Sequence, residues 1–375
     1  MTPLKQKIIE RIHSEGPLTF EAFMEMALYF PGLGYYTCDP MQIGRAGDFY
    51  TGPHLHRIFG AMIGRQMEEM WGLMGRPDRF QVVEMGAGMG YLAKDMLDYL
   101  KGIDGKEREI FDHLDYTIIE LNPSIKAKQQ TLLNDYQNHV IWVSDPGELG
   151  KISGCFLSNE LLDAFPVRLV ELDDELREVL VSAEGEDLVE VKQHCSREVA
   201  EYFREFDVEL IRGCRTEVNL KIRDWVGEIS DRLHEGFVLT IDYGYPSWDY
   251  YSAGRNTGTL LCYFQHQMNE DPYQHVGEQD ITAHVNFSSV KKWGEEAALK
   301  TIGFCPQGTY LVSLGIDEVI MELSGGKPEF FDTAKIKGLI LPEGMGESHK
   351  VMIQYKGEGN PVLRGFSLRN QVRKL

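Results

Sequence analysis

The sequence predicts an α/β protein whose core is a mostly parallel sheet, and three observations carry that expectation. From residue 80 onward, short apolar runs alternate with helical patterns. The first run, Phe80-Gln81-Val82-Val83-Glu84, empties into a glycine-rich turn that opens a helix. Hydrophobic residues make up 43% of the 375, enough to bury a large core. Strands covered by helices on both faces read as continuous apolar runs, as these do.

The elements follow in order. Residues 4–30 carry helical periodicity through Ile8, Ile9, Ile12, Phe20, Phe23, Met24 and Ala27, and Pro31-Gly32-Leu33-Gly34 ends it. A glycine-rich segment, 43–53, leads to a helix with Ile58, Met62, Met70, Trp71 and Met74 on one face; these methionines read as core packing. After the first strand, residues 91–100 form a helix with Leu92, Met96, Leu97 and Leu100 inward. Tyr116-Thr117-Ile118-Ile119 is the second strand, and Asn122-Pro123 caps and starts the next helix. Val140-Ile141-Trp142-Val143 is the third strand and Cys155-Phe156-Leu157 the fourth. Val167 to Val191 reads as a β-meander and 196–235 as helical. The fifth strand is Phe237-Val238-Leu239-Thr240-Ile241-Asp242. Residues 245–285, rich in Tyr, Gly, Asn and His, form a long ordered stretch, since long irregular segments in compact proteins are usually functional. His349 to Tyr355 is a late strand that closes the sheet. The expected organisation is an N-terminal helical region over 1–78, the first half of the core over 79–165, an insertion over 166–235, and the second half over 236–375 with a substrate-side insertion at about 245–330.

Charge and cysteines narrow the function. Thirty-eight Lys and Arg against 58 Asp and Glu leave a formal net charge of −20. Such a chain repels phosphate backbones, and no basic run interleaved with aromatics offsets that, so nucleic acid is not expected as a partner. The six cysteines form no C-x-x-C pair, so no metal site is expected and reduced thiols are the plain reading. The opening Met-Thr-Pro-Leu-Lys lacks the apolar stretch of a secretory signal, and no apolar run spans a bilayer. A cytoplasmic protein without membrane insertion is the expectation. The oligomeric state is not legible.

The strongest chemical signal is Glu84-Met85-Gly86-Ala87-Gly88-Met89-Gly90. Glycines let the chain turn sharply and approach a ligand closely. The spacing is Gly-x-Gly-x-Gly, not the G-x-G-x-x-G of dinucleotide enzymes. It suits a nucleoside carrying an amino-acid tail, with Glu84 facing an ammonium group. Gly86, Gly88 and Gly90 line that site. Glu120, ending the second strand, accepts hydrogen bonds from ribose hydroxyls in this reading; a solvated strand-end carboxylate is the plain alternative. Asp145 is either an adenine contact or a turn residue beside Pro146-Gly147.

The fourth strand ends in Ser158-Asn159-Glu160-Leu161-Leu162-Asp163. If that segment is helical, Glu160 and Asp163 lie three apart on one face. Two carboxylates there grip a guanidinium through its fork of N–H donors and offset its charge. The bland reading is a helix start capped by Asn159. Two segments, 47–53 and 280–287, are candidate lids; Asp48 and Thr51 of the first are expected to face the cofactor together with Asn159. His284 of the second acts as base or positions a substrate, or is simply a structural histidine.

Together these segments resemble one family, the MidA-type methyltransferases, the group that includes mitochondrial complex I assembly factors. The resemblance covers nearly the whole chain. It rests on Ala27-Leu28-Tyr29 through Gly34-Tyr35-Tyr36, Gly47-Asp48-Phe49-Tyr50-Thr51, the 84–90 glycine segment, Asn159 through Val167, Asp242-Tyr243-Gly244, Asp280 through Phe287, and Gly344 through Val351. It implies a Rossmann-like class I methyltransferase sheet with a helical N-terminal region and insertions, S-adenosyl-L-methionine as cofactor, and a protein substrate, by analogy an arginine of a respiratory complex subunit. Two departures stand out. His54 occupies a position where the family usually carries Glu, and Asn286 one where it usually carries Asp. Three rivals stay open: a cofactor-binding assembly chaperone without methyl transfer, a small-molecule methyltransferase, and a nicotinamide-dependent oxidoreductase.

Overall fold

The computed structural model describes residues 2–38, 56–102, 108–327 and 333–375. The α/β expectation holds. The described residues form two compact units, one drawn from segments 50–161, 226–243 and 291–375, the other from 1–49, 162–225 and 244–290.

The first unit is built on a sheet whose main strands are β1 (Phe80–Met85), β2 (Leu114–Ile119), β3 (Val140–Val143), β4 (Ile152–Asn159), β5 (Leu233–Tyr245), β6 (Lys300–Pro306) and β7 (His349–Lys356). Their order is β6-β7-β5-β4-β1-β2-β3. β1 runs parallel to both β2 and β4, β2 to β3, and β4 to β5, while β7 is antiparallel to β5 and β6. The late strand therefore does not close the sheet. It lies between β5 and β6, and the edge belongs to β6, whose opening Lys300 is exposed and whose Thr301 and Ile302 are half-buried, as edge strands tend to be. That polar start hid β6 inside the stretch read as an insertion.

Helices α1 (Ile58–Leu73), α2 (Tyr91–Lys101) and α3 (Pro123–Leu132) belong to this unit. Met62, Met67 and Met70 of α1 pack with Leu92, Met96 and Leu97 of α2 and with Val82, Tyr116 and Leu157 of the sheet. Met62 and Met70 are core, as expected, while Met74 is half-buried and packs against that core. Asn122 caps α3, its side chain accepting the Ser124 N–H at 2.9 Å, with Pro123 in the first turn.

In the second unit, the helical stretch 4–30 divides. Helices Pro3–Glu15 and Phe20–Tyr29 flank a two-residue strand, Leu18–Thr19. Gly16, at φ +92°, ends the first helix, and the Thr19 hydroxyl caps the second by accepting the Ala22 N–H at 3.1 Å. Leu18–Thr19 pairs with Leu176–Glu184, the long middle strand of an antiparallel sheet that also contains Arg168–Leu172, Asp187–His194 and Cys214–Val218. The meander is as read; Cys214–Val218 breaks the stretch read as helical. Leu4, Ile8, Phe20, Phe23, Val179, Val181 and Ile281 share one core. Among the described residues no helix is long and apolar enough to cross a membrane.

Candidate functional site

The strand order reverses between β1 and β4, because β1 connects onward to β2 on one side while β4 lies on the other. Ligands of open α/β sheets bind outside the carboxyl ends of the strands at such a point. The glycine loop leaves β1 there. Gly86, Gly88 and Gly90 sit at φ +73°, +52° and +84°, in the left-handed region that other residues enter only at a cost. Gly90 then caps α2. A Cβ on Gly86 would press on Leu161 Cδ1 at 3.0 Å, and one on Gly90 would lie 3.4 Å from Gln129 Cγ. A Cβ on Gly88 would meet nothing within 4 Å, so this glycine borders open space at the reversal point.

Three acids were expected around this loop. Glu84 is buried in β1, and its Oε2 accepts the Tyr116 hydroxyl at 2.7 Å. Burial pushes its carboxyl up to about 7 against the opposing pull of that hydrogen bond. Glu120 follows β2 and is half-buried; Oε1 accepts the Asn122 N–H at 2.8 Å and Oε2 the Gln129 side-chain amide at 3.0 Å. Burial raises its carboxyl too, with those hydrogen bonds opposing. Each oxygen keeps acceptor capacity for a hydroxyl. Asp145 is exposed and closes a capping box: it accepts the Gly147 N–H at 2.6 Å while Glu148 accepts the Asp145 N–H at 3.1 Å. Its side chain thus closes the Pro146–Glu148 turn.

The end of β4 departs from the helix that would have stacked Glu160 over Asp163. Glu160 has φ +51°, which breaks helical periodicity, and only Leu162–Ala164 forms a short 3-10 turn. Asn159 is the last strand residue and caps no helix; its Nδ2 donates to Glu160 Oε1 at 3.3 Å. The Glu160 N–H continues the ladder to Ile241 O at 2.8 Å. One residue on, the Leu161 N–H donates to Oδ2 of the fully buried Asp242 at 3.2 Å, and Asp242 Oδ1 accepts the Tyr243 N–H at 2.9 Å. The Glu160 side chain is almost fully buried, with His349 Nε2 3.7 Å from its Oε1. The other ring nitrogen of His349 lies 3.1 Å from Ser348 Oγ, and Tyr243 packs edge-on to the ring at 5.3 Å. Sequence reasoning missed His349 as a site residue and took it as the first residue of a strand. The signal was present: it stands inside the 344–351 segment that carried the family resemblance.

Asp163 and His284 belong to the second unit. Asp163 is buried and its carbonyl accepts the Ala283 N–H at 2.9 Å. Burial and then the charges of Asp280 and Asp163 hold the Tyr29 hydroxyl well above its usual range. Tyr36 donates to Asp280 at 2.8 Å. The His284 N–H donates to Thr259 Oγ1 at 3.0 Å, and the residue lines a cavity of about 520 Å³ with Arg215, Glu217 and Tyr273. The 280–287 segment is not a lid: Asp280–Thr282 and Val285–Asn286 are strands, and Ile281, Val285 and Phe287 are buried. Asn286 donates to the Tyr202 hydroxyl at 2.7 Å and to Ser247 Oγ at 2.9 Å, bonds an aspartate could not donate. Asp48, Thr51 and His54, with the whole 47–53 segment, lie outside the described residues.

The residues of the first unit fit a nucleoside with an amino-acid tail. Gly88 leaves room for close approach, Glu120 keeps acceptors for ribose hydroxyls, and Glu84 is a buried carboxylate that a nearby cation would hold ionised. Comparison with known proteins identifies the cofactor class. The profile of the family described as "Putative S-adenosyl-L-methionine-dependent methyltransferase" matches residues 62–305. The Drosophila melanogaster mitochondrial protein arginine methyltransferase NDUFAF7 homolog is 29% identical over 387 residues, covering 94% of this chain and 85% of its own. The Danio rerio protein arginine methyltransferase NDUFAF7 is 29% identical over 91% of this chain and 84% of its own. A crystal structure from Burkholderia thailandensis, bound to S-adenosyl-homocysteine, superposes with a TM-score of 0.89 at 30% identity, covering 99% of this chain and 96% of that one.

Proposed function

Because the chain belongs to this family of S-adenosyl-L-methionine-dependent methyltransferases, we propose that it methylates an arginine side chain of a protein. The observation that carries the reading is Glu160, a buried carboxylate held in a left-handed turn at the end of β4. Strained backbone at such a place is a mark of function. The names of the Drosophila and zebrafish relatives support the choice of arginine.

The cofactor supplies an electrophilic methyl group on a sulfonium. The chain's own residues bind and orient. Gly86, Gly88 and Gly90 let the backbone approach, Glu120 takes the ribose hydroxyls, and Glu84 faces the ammonium group. Glu160 accepts N–H hydrogen bonds from the substrate guanidinium, offsets its charge, and receives the proton that the attacking nitrogen releases. Asp242 holds the turn that aims Glu160, and His349 flanks its carboxylate. Much of the rate then comes from alignment of nitrogen and methyl group.

The test supplies S-adenosyl-L-methionine labelled in the methyl group together with Arg-containing and matched Lys-containing protein substrates. A respiratory complex subunit is the first candidate, on the strength of the sequence resemblance. Label recovered as methylarginine is the expected result. Label on lysine alone or on a small molecule alone overturns the arginine reading, and tight cofactor binding with no transfer to any acceptor favours the binding-only chaperone.

A further inference from the structure

Gln129 sits on α3 among polar neighbours, Lys126, Lys128 and Gln130, that are exposed or half-exposed, yet Gln129 itself is fully buried. Its amide is engaged on both sides. Nε2 donates to Gly88 O at 2.8 Å and to Glu120 Oε2 at 3.0 Å, while Oε1 accepts the Trp142 indole N–H at 2.9 Å. These partners come from the loop after β1, the residue after β2, and the middle of β3. The chemistry fixes the amide's orientation: an indole N–H only donates, and a carbonyl and a carboxylate only accept. The side chain also forms the surface under the loop, since its Cγ is the atom a Cβ on Gly90 would meet first.

We propose that Gln129 is a positioning residue of the cofactor site, whose amide locks the glycine loop to the Glu120 carboxylate and thereby sets cofactor affinity. This rests on the reading that Gly88 and Glu120 hold the cofactor. Glu120 has one oxygen pinned by the Asn122 N–H and the other by Gln129. With both pinned, the carboxylate plane is set before the ribose arrives. Without Gln129, one oxygen loses its anchor and the broad terminal torsion of a Glu side chain is free to turn. The Gly88 carbonyl loses its tie to α3 in the same step. Affinity falls because the ordering that Gln129 supplies in advance must then be made on binding.

The experiment measures the Kd of S-adenosylhomocysteine by calorimetry, and the Tm without ligand, for the full chain and for Gln129→Met, Glu120→Ala and the double variant. Gln129→Met keeps the volume and removes every hydrogen bond. The expected result is a rise in Kd of about tenfold for Gln129→Met, at least as much for Glu120→Ala, and little further loss in the double variant, because residues in one network are not additive. KM for the cofactor rises while kcat changes little. A lowered Tm with Kd within twofold of wild type makes Gln129 a structural residue only and overturns the proposal, provided Glu120→Ala still weakens binding. An unchanged Kd in Glu120→Ala instead sinks the reading of the site, and the proposal with it. Should Gln129→Met fail to fold, Gln129→Asn, which keeps the amide but draws it back by one methylene, is expected to raise Kd by a smaller factor; no rise there overturns the proposal.

Discussion

Asp242 Oδ2 accepts the Leu161 N–H at 3.2 Å, one residue beyond Glu160, whose own N–H is bound to Ile241 O at 2.8 Å. Both peptide groups flanking the left-handed Glu160 are thus anchored to β5. A non-glycine residue at φ +51° persists only where its surroundings hold it, and these two bonds are that hold.

Strain at Glu160 is measurable as stability. Left-handed backbone costs an L-residue roughly 1–2 kcal/mol that glycine does not lose. Glu160→Gly is therefore expected to be more stable than Glu160→Ala by about 1 kcal/mol in denaturant unfolding, with both variants equally poor in turnover. Equal stabilities would show that the turn carries no strain.

The same turn separates chemistry from binding. Glu160→Gln removes the anionic acceptor and should lower kcat by at least about a hundredfold, within the range of a lost general base, while cofactor Kd stays near wild type. Asp242→Asn leaves only one acceptor oxygen for two N–H groups, so the turn loosens and kcat falls by a smaller factor. A normal rate in Glu160→Gln assigns that carboxylate to the fold alone.

Gly88 tests the cofactor site directly. A Cβ there meets no protein atom within 4 Å, so Gly88→Val should fold, with a penalty of about 1–2 kcal/mol from its positive φ. Its isopropyl group would stand where the cofactor approaches, and calorimetry should detect no binding of S-adenosyl-L-methionine. Retained binding would place the cofactor elsewhere.

Glu84 makes stability depend on pH. Its folded carboxyl is raised from 4.5 to about 7, so the folded state holds this proton more tightly than the unfolded state. Its contribution is intact below about pH 4.5 and is lost as pH rises through 7, at a cost on the order of 3 kcal/mol. Glu84→Gln removes the ionisation and can still accept from Tyr116. The Tm of this variant minus that of wild type should therefore be larger at pH 8 than at pH 5. A difference independent of pH would mean that Glu84 titrates normally.

What the sequence made legible was whatever depends on local pattern. β1 to β5 are continuous apolar runs, and the glycine loop announces itself by composition. The Asn122 cap was readable because Asn-Pro at a helix start has a local cause. Cys214–Val218 was not, since its polar Thr216 and Glu217 are buried by tertiary contacts; Glu217 accepts from Thr259 and Tyr250, far along the chain. The helical pairing of Glu160 with Asp163 failed because nothing local signals a left-handed glutamate. Gln129 was invisible for the opposite reason: glutamine is ordinary on a helix, and only the fold shows that this one faces Gly88, Glu120 and Trp142.

The short strand Leu18–Thr19 also carries a message about biosynthesis. It pairs with Val181 and Leu180, and Tyr36 reaches Asp280, 244 residues later in the chain. At translation rates of about 5–20 residues per second, the first two helices wait on the order of ten to thirty seconds for their sheet. Through that interval the side chains of Leu4, Ile8, Phe20 and Phe23, buried in the finished unit, have no core to enter. These two helices are thus made well before the strands that bury them, which makes the nascent chain a natural client for holding chaperones.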